Sequence, residues 1–190
     1  PRAFRASRLG AEGEGFSGGP FGERYAGAYQ LSRPTLQTLQ PLEVAFVRQT
    51  GPYAEADGSA FARLLAWAGA AGVHRPAARI LGLVHDDPTV TPPAHQRFDA
   101  CLELFDACAP AGEVGVQRIE GRRYATASYI GPFGAPFEEA YDRCFRAALA
   151  LPGVTLAVLP ALEVYRSVQL GPDRTIVQTD IHLPVEATPR

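Results

Sequence analysis

The chain carries two copies of one sequence pattern, and such an internal repeat restricts the fold more than any single motif does. In the first copy Gly51-Pro52 follows an apolar run, and in the second copy Gly131-Pro132 follows another, 80 positions later. Similar stretches, 36–39 and 116–119, lie equally far before each Gly-Pro. The two halves, residues 35–105 and 115–185, therefore predict a pseudo-twofold domain. Two similar half-sheets usually leave a cleft where they meet, so we expect the functional site there.

Hydrophobic periodicity gives each half the order β-β-α-β-β. Strands are predicted at 35–39, 43–49, 79–85, 98–105, 114–119, 123–129, 161–168 and 176–184, and helices at 57–72 and 136–150. Joined edge to edge, the halves predict an α+β fold in which one antiparallel sheet carries two helices on one face and has a central cleft. Residues 1–34 have recurring glycines and no sustained period, so we predict a linker or arm there and a binding domain over 35–186.

Composition excludes several classes of function. The 18 basic residues are scattered arginines and the net charge is −2, so the chain lacks the basic stripe of a nucleic-acid-binding surface. The three cysteines have no metal-ligand or disulfide spacing, and we predict no metal and no cofactor. No apolar run approaches the ~20 residues that cross a bilayer, and no signal pattern begins the sequence. We therefore expect a soluble cytoplasmic protein without a membrane partner.

Glu163 is the residue at which the two halves differ most usefully. It lies in a run of strand-forming residues, and its counterpart in the first half is Gly82. Alternation along a strand places Glu163 and Tyr165 on one face. Either this face points to solvent, as charged strand residues mostly do, or it lies under the helices and buries an anionic anchor for a cation.

Aromatic side chains around a buried carboxylate would add cation-π attraction for such a ligand. The candidate ligand-binding residues are Glu163, Tyr165, Trp67, Tyr53, Phe133, Phe137 and Tyr141. Each aromatic residue alone is also typical of an ordinary core, so the prediction depends on their convergence around Glu163. No catalytic residue is predicted, because no histidine neighbours a serine or cysteine in a nucleophile motif. The matching Asp99 and Asp180 favour a shared structural role, such as binding loop amides.

With these residues in view, the chain resembles the GyrI-like small-molecule-binding family. The matching segments, which follow one another in the right order between 35 and 186, are 47–53, 85–88, 91–93, 97–101, 163–165 and 179–184. The resemblance implies that Glu163 is the central acidic residue of a cleft that holds cationic or polar amphipathic compounds. The chain departs from aromatic-rich members at Val84 and His85, where a tyrosine is often seen.

Residues 1–5 resemble the end of the DNA-binding part of AraC/XylS-type regulators. That resemblance implies that the chain is the C-terminal effector half of a longer regulator, which contacts DNA only through a domain absent from this chain. A glycine-rich stretch after residue 5 is typical of an interdomain linker.

Three functions follow as hypotheses. The leading one is a ligand-sensing domain of a bacterial transcriptional regulator that binds a small hydrophobic or cationic compound around Glu163 and is not an enzyme. The second is a GyrI-like hydrolase of electrophilic small molecules that uses Glu163 as a general base on water. The third is a protein-interaction module, which the near-neutral charge does not favour. The sequence is also compatible with a homodimer.

Overall fold

The structure is a computed structural model and describes residues 24–25, 29–53, 58–170 and 175–188. Within these residues the helices are α1, Ser59–Ala70, and α2, Ala135–Leu149, with a short 3₁₀ helix at Pro93–His95. The strands are β1 Arg24–Tyr25, β2 Tyr29–Leu31, β3 Thr35–Leu39, β4 Leu42–Thr50, β5 Ile80–Val84, β6 Arg97–Glu103, β7 Gly115–Ile119, β8 Arg122–Pro132, β9 Val154–Leu156, β10 Ala161–Leu170 and β11 Thr175–Ala187. The predicted order of elements in each half is confirmed.

The strands form one antiparallel sheet in the order β1-β2-β8-β11-β10-β5-β6-β4-β7. In addition, β3 pairs with β8, and β9 pairs with the end of β11. Helix α1 packs on β4 and β6, and α2 packs on β8 and β11. The predicted α+β class, with a duplicated sheet and two helices, is therefore confirmed.

The two halves exchange their first strands, which the sequence did not reveal. Strand β3 of the first half pairs with β8 of the second, and β7 of the second half pairs with β4 of the first. The two crossing connections touch at Gly121, where an added Cβ would lie 2.8 Å from Pro41 Cδ and 3.1 Å from the Leu39 carbonyl oxygen. Glycine is therefore required at this crossing.

The halves meet at β5 and β10, the two central strands. Glu163 lies directly opposite Gly82, its counterpart in the repeat, and Leu162 and Val164 on either side of it pair with Leu83 and Leu81. The pseudo-twofold axis therefore passes beside Glu163 and Gly82. An acidic residue at this position occurs once in the domain although the fold repeats.

The hydrophobic core lies on both faces of the sheet. On the helix side, Leu64 and Ala68 of α1 pack on β4 and β6, while Phe137 and Ala140 of α2 pack on β8 and β11. On the other side, a third cluster contains residues of β4, β5, β6, β8 and β10. Its members are Leu42, Val44, Leu81, Leu83, Cys101, Tyr124, Leu162 and Val164. The central strands are thus covered on both faces, as their nearly continuous apolar sequences require.

Part of the segment predicted as an arm is a strand. Tyr29 and Leu31 of β2 are 6% and 7% exposed and belong to the core under α2, and β2 pairs with β8. Three residues are too few to show a period in the sequence, so the position of β2 is not predictable from it. Residues 1–5, which carry the resemblance to a DNA-binding domain, lie outside the described residues.

Candidate functional site at the junction of the two halves

Glu163 lies on the helix side of the sheet and is 3% exposed. The alternative that this face points to solvent is therefore wrong. Space for the carboxylate comes from Gly82 on the neighbouring strand, where an added Cβ would lie 3.2 Å from Glu163 Oε2 and 2.6 Å from Phe98 Cζ. The space left by the missing side chain of Gly82 is thus filled by the Glu163 carboxylate of the other half and by the Phe98 ring.

Tyr165 is the hydrogen-bonding partner of this carboxylate. Its hydroxyl donates a hydrogen bond of 2.5 Å to Glu163 Oε2. Both residues belong to β10 and their side chains lie on the same face, as the period of two predicts. Among the described residues, this is the one hydrogen bond that the Glu163 carboxylate receives. A buried carboxylate normally needs more than one partner, so its bonding capacity is only partly used.

Burial raises the pKa of Glu163 to about 7, and the hydrogen bond from Tyr165 opposes the shift. Burial also raises the pKa of Tyr165 well above its usual value, and the charge of Glu163 adds to the increase. The proton of the pair therefore stays on the phenol, while the carboxyl group titrates near neutral pH. A cation bound beside Glu163 would favour the ionised form.

Aromatic rings approach the junction from both helices. Phe61 of α1 contacts Tyr165 edge to face, with 5.5 Å between ring centroids, and contacts Phe98 at 5.8 Å. On α2, Phe137 contacts Tyr141 at 6.1 Å and stacks on Phe133 at 5.5 Å. Phe61 of α1 thus joins two rings of the sheet, and the two rings of α2 continue to Phe133 just before the helix.

The predicted aromatic residues have different positions. Phe133, Phe137 and Tyr141 form the α2 chain, and Phe133 is 38% exposed while Phe137 is buried. Trp67 packs against the core under α1, and within the described part of the chain its ring stacks on none of the rings around Glu163.

Tyr53 is held by the loop between β5 and β6. Its hydroxyl lies 3.0 Å from the Arg97 carbonyl oxygen and accepts a hydrogen bond from the Asp86 amide at 3.1 Å, and its own amide donates to Gln96 Oε1. Burial raises the pKa of Tyr53 to about 12, with a smaller contribution from the Glu163 charge. Its hydroxyl is engaged by the loop, so Tyr53 can offer a ligand its ring.

Phe61 and Phe98 belong to the candidate site and were not among the residues predicted from the sequence. The helical period assigns Phe61 only to the apolar face of α1, and strand periodicity assigns Phe98 only to a strand of the first half. The pairing of Phe98 with Val84 would have indicated its position, but that register is not readable from one sequence.

Two hydroxyl groups near the junction are buried and have no hydrogen-bonding partner among the described residues. They are the Tyr141 hydroxyl and Thr179 Oγ1. Thr179 lies on β11 opposite Tyr165 and therefore shares its face. Buried polar atoms are rarely left unpaired in a protein interior, so these two groups are candidates for contact with a ligand.

The opposite face of the sheet carries two charged clusters built around the repeated aspartates. Asp99 accepts hydrogen bonds from Arg48 at 2.6 Å and from Gln117 at 3.1 Å, and lies 2.8 Å from His85 Nε2. Burial opposes ionisation of Asp99, but these bonds hold its pKa below the usual range. The expected shared structural role takes the form of contacts with side chains, not with loop amides.

In the second half, Asp180 accepts from Ser128 at 2.6 Å and pairs with Arg166 at 2.7 Å. In the described ranges, His, Cys, Asp and Glu side chains form no group of three that could hold a metal ion. No helix among the residues described is long and apolar enough to span a membrane.

The sequence profile of a family described as the GyrI-like small-molecule-binding domain matches residues 32–186. A search of curated proteins gave no match. Among solved structures, the fold is similar to that of the EcmrR C-terminal domain, with a TM-score of 0.63 and 20% identity over 84% of this chain and 99% of that one. EcmrR bound to DNA gives the same TM-score and identity, over 85% of this chain and 59% of that one.

Two further structures share the fold. SAV2435 bound to tetraphenylphosphonium has a TM-score of 0.55 and 16% identity, over 80% of this chain and 93% of that one. A hydrolase from Listeria innocua has a TM-score of 0.53 and 14% identity, over 81% of this chain and 92% of that one.

Proposed function

The chain belongs to the GyrI-like small-molecule-binding domain family, and from this premise we propose that it is the ligand-sensing domain of a transcriptional regulator. The ligand is a hydrophobic cation that binds in the junction beside Glu163. The observation that carries this proposal is a carboxylate that is 3% exposed and receives a single hydrogen bond among the described residues.

Electrostatics support a cation as the ligand. Leaving an ionised carboxylate buried without a counter-charge is costly, and a ligand cation would offset that cost. Tyr165 is hydrogen-bonded to the carboxylate and Phe61 contacts the Tyr165 ring, so these two rings can add cation-π attraction. SAV2435, which shares the fold, binds tetraphenylphosphonium, a large hydrophobic cation.

A role in regulation is supported by the fold of EcmrR, which forms a complex with DNA. For this chain, DNA contact would come from another domain, and the predicted binding domain over 35–186 would bias that domain by binding the ligand. Such coupling requires that the ligand have different affinities for two arrangements of the regulator. Equal ligand affinities of the DNA-bound and free regulator would contradict a sensing role. A homodimer stays a prediction.

A thermal-shift screen of wild type and Glu163→Gln tests the ligand class. The compounds are hydrophobic cations, neutral molecules of similar shape and anions. At a concentration of 100 times its dissociation constant, a ligand adds about 2.7 kcal/mol to the stability of the folded protein. We expect stabilisation by cations that is lost in Glu163→Gln. Equal stabilisation of both proteins would place the ligand elsewhere.

A second candidate, hydrolysis of an electrophilic compound, is favoured by the pKa of Glu163, which burial raises to about 7. A base of that pKa can accept a proton from water as the water oxygen attacks the electrophilic carbon. The fold is shared by a hydrolase from Listeria innocua. Product analysis after incubation with reactive electrophiles separates the two functions, because a binding domain leaves the compound intact. Products that form with wild type and not with Glu163→Gln would favour the enzyme.

A further inference from the structure

Three oxygen atoms on the helix side of the junction have hydrogen-bonding capacity that the described residues leave unused. The bond from Tyr165 goes to Oε2 of Glu163, which leaves Oε1 available. The Tyr141 hydroxyl and Thr179 Oγ1 are buried and unpaired among the described residues. A hydroxyl loses its bonds to water on burial, so an unpaired one destabilises the ligand-free protein and favours a ligand that can pair with it.

These atoms belong to three neighbouring elements, since β11 pairs with β10 and α2 packs on β11. Thr179 of β11 lies opposite Tyr165 of β10, and side chains paired across two antiparallel strands have Cβ atoms about 5 Å apart. Tyr141 lies one helical turn after Phe137, whose ring it contacts. Burial raises the pKa of Tyr141, and the charge of Glu163 is the next largest cause, which agrees with a position near the carboxylate.

We propose that the site prefers an amphipathic protonated amine with N–H groups over a quaternary ammonium or arylphosphonium cation. This inference rests on the proposed function, because it takes the cation site beside Glu163 as given. One N–H donates to Glu163 Oε1, and a second hydrogen-bonding group of the ligand pairs with the Tyr141 hydroxyl. The hydrophobic body of the ligand lies against Phe61 and the α2 rings.

Hydrogen bonding distinguishes the two kinds of cation. A quaternary cation offers the same unit of charge but no N–H donor, so it leaves the hydroxyl groups unpaired in a site from which it has displaced water. A site with buried hydrogen-bonding groups rejects an analogue that lacks the matching group more strongly than an apolar pocket rejects a change in size. Replacing each N–H by N–CH₃ should therefore weaken binding stepwise.

Calorimetric titration with a matched series tests this inference. The probes are 2-naphthylmethylammonium and its N,N-dimethyl and N,N,N-trimethyl forms, which share one aromatic body. The titrations are made at pH 8, above the pKa of Glu163. We expect the trimethyl form to bind about tenfold or more weakly than the primary ammonium, with the dimethyl form between them.

Three substitutions check which atoms cause the preference. Tyr141→Phe and Thr179→Val remove the unpaired hydroxyl groups and should fold at least as stably as wild type. In both variants the ratio of the dissociation constants of the trimethyl form and the primary ammonium should be smaller than in wild type. Tyr124→Phe makes the same chemical change on the opposite face of the sheet, where Tyr124 belongs to the third core cluster, and should leave the ratio unchanged.

The outcomes separate this inference from the proposed function. Equal or tighter binding of the trimethyl form, lost in Glu163→Gln, overturns the inference and leaves the cation site intact. Binding of tetraphenylphosphonium without binding of the amines also overturns this inference, and it leaves the proposed cation site intact. If none of these cations binds wild type, the proposed ligand class fails as well. An unchanged ratio in both Tyr141→Phe and Thr179→Val likewise overturns the inference.

Discussion

At the scale of single residues, Glu163 makes the stability of the folded protein depend on pH. Burial raises its pKa to about 7, from 4.5 for an ordinary glutamate. Between these values the folded chain binds more protons than the unfolded chain, so the free energy of unfolding falls as pH rises and levels off above the folded pKa. Over this pH range the shift lowers the free energy of unfolding by about 3 kcal/mol.

Urea unfolding of wild type and Glu163→Gln from pH 5 to pH 8 measures this effect. Both side chains can accept the Tyr165 hydrogen bond, so the variant tests the charge. We expect the two proteins to be nearly equal in stability at pH 5 and the variant to be more stable at pH 8. A difference that stays constant across the range would contradict the raised pKa.

Gly82 provides a second prediction at the residue scale. An added Cβ would meet Phe98 Cζ at 2.6 Å and Glu163 Oε2 at 3.2 Å, so Gly82→Ala displaces the ring and crowds the carboxylate. We expect a loss of about 1–3 kcal/mol in unfolding free energy and weaker cation binding.

Gly69→Ala is the matched control for Gly82→Ala. No atom lies within 4 Å of an added Cβ at this helical position, so the change should leave stability unchanged or raise it by up to about 1 kcal/mol. Urea unfolding of the two variants side by side decides the point. A Gly82→Ala protein as stable as Gly69→Ala would show that the junction is loosely packed.

Sequence reasoning singles out Glu163 but leaves its direction open. The period of two places Glu163 and Tyr165 on one face, and the structure confirms that they share it. The period does not say which face is buried, because that depends on where the helices pack. The aromatic neighbours Phe61 and Phe98 depend on contacts between distant segments, which local patterns do not predict.

At the scale of secondary-structure elements, the exchange of β3 and β7 makes each half depend on the other. The second half alone, residues 111–188, contains β7 without its partner β4 and β8 without its partner β3. We expect this fragment to form no stable monomer, because unpaired sheet edges favour association with other chains. Sedimentation and circular dichroism of the fragment measure the outcome. A monomer that unfolds cooperatively would contradict an interdependent sheet.

The elements themselves are largely predictable, whereas their pairing is not. Strands β4, β8 and β10 and helices α1 and α2 are predicted within three residues at each end, because apolar spacing is a local signal. The exchange of first strands is not local, since a two-residue connection after β3 is equally typical of a hairpin. The short β2 and β9 carry too few residues to show a period.

At the scale of the whole molecule, duplication creates a symmetric frame and one substitution breaks the symmetry. The halves meet where Gly82 and Glu163 pair, so the carboxylate lies beside the pseudo-twofold axis and between the two helices. The repeat predicts where the two halves meet. The presence of Glu163 at the position that Gly82 has in the other half predicts a cationic ligand. The preference proposed for an amine depends on unpaired hydroxyl groups at the junction, which one sequence does not reveal.

If an ionised Glu163 anchors a cation, the affinity for that cation must depend on pH. A hydrophobic cation of fixed charge, such as tetraphenylphosphonium, is titrated calorimetrically into wild type and Glu163→Gln at several pH values from 5.5 to 8.5. Burial raises the pKa of Glu163 to about 7, so we predict that wild-type affinity rises through that pH and then levels off, while the variant binds weakly throughout. Affinity that is independent of pH, or equal in the two proteins, would contradict anchoring by Glu163.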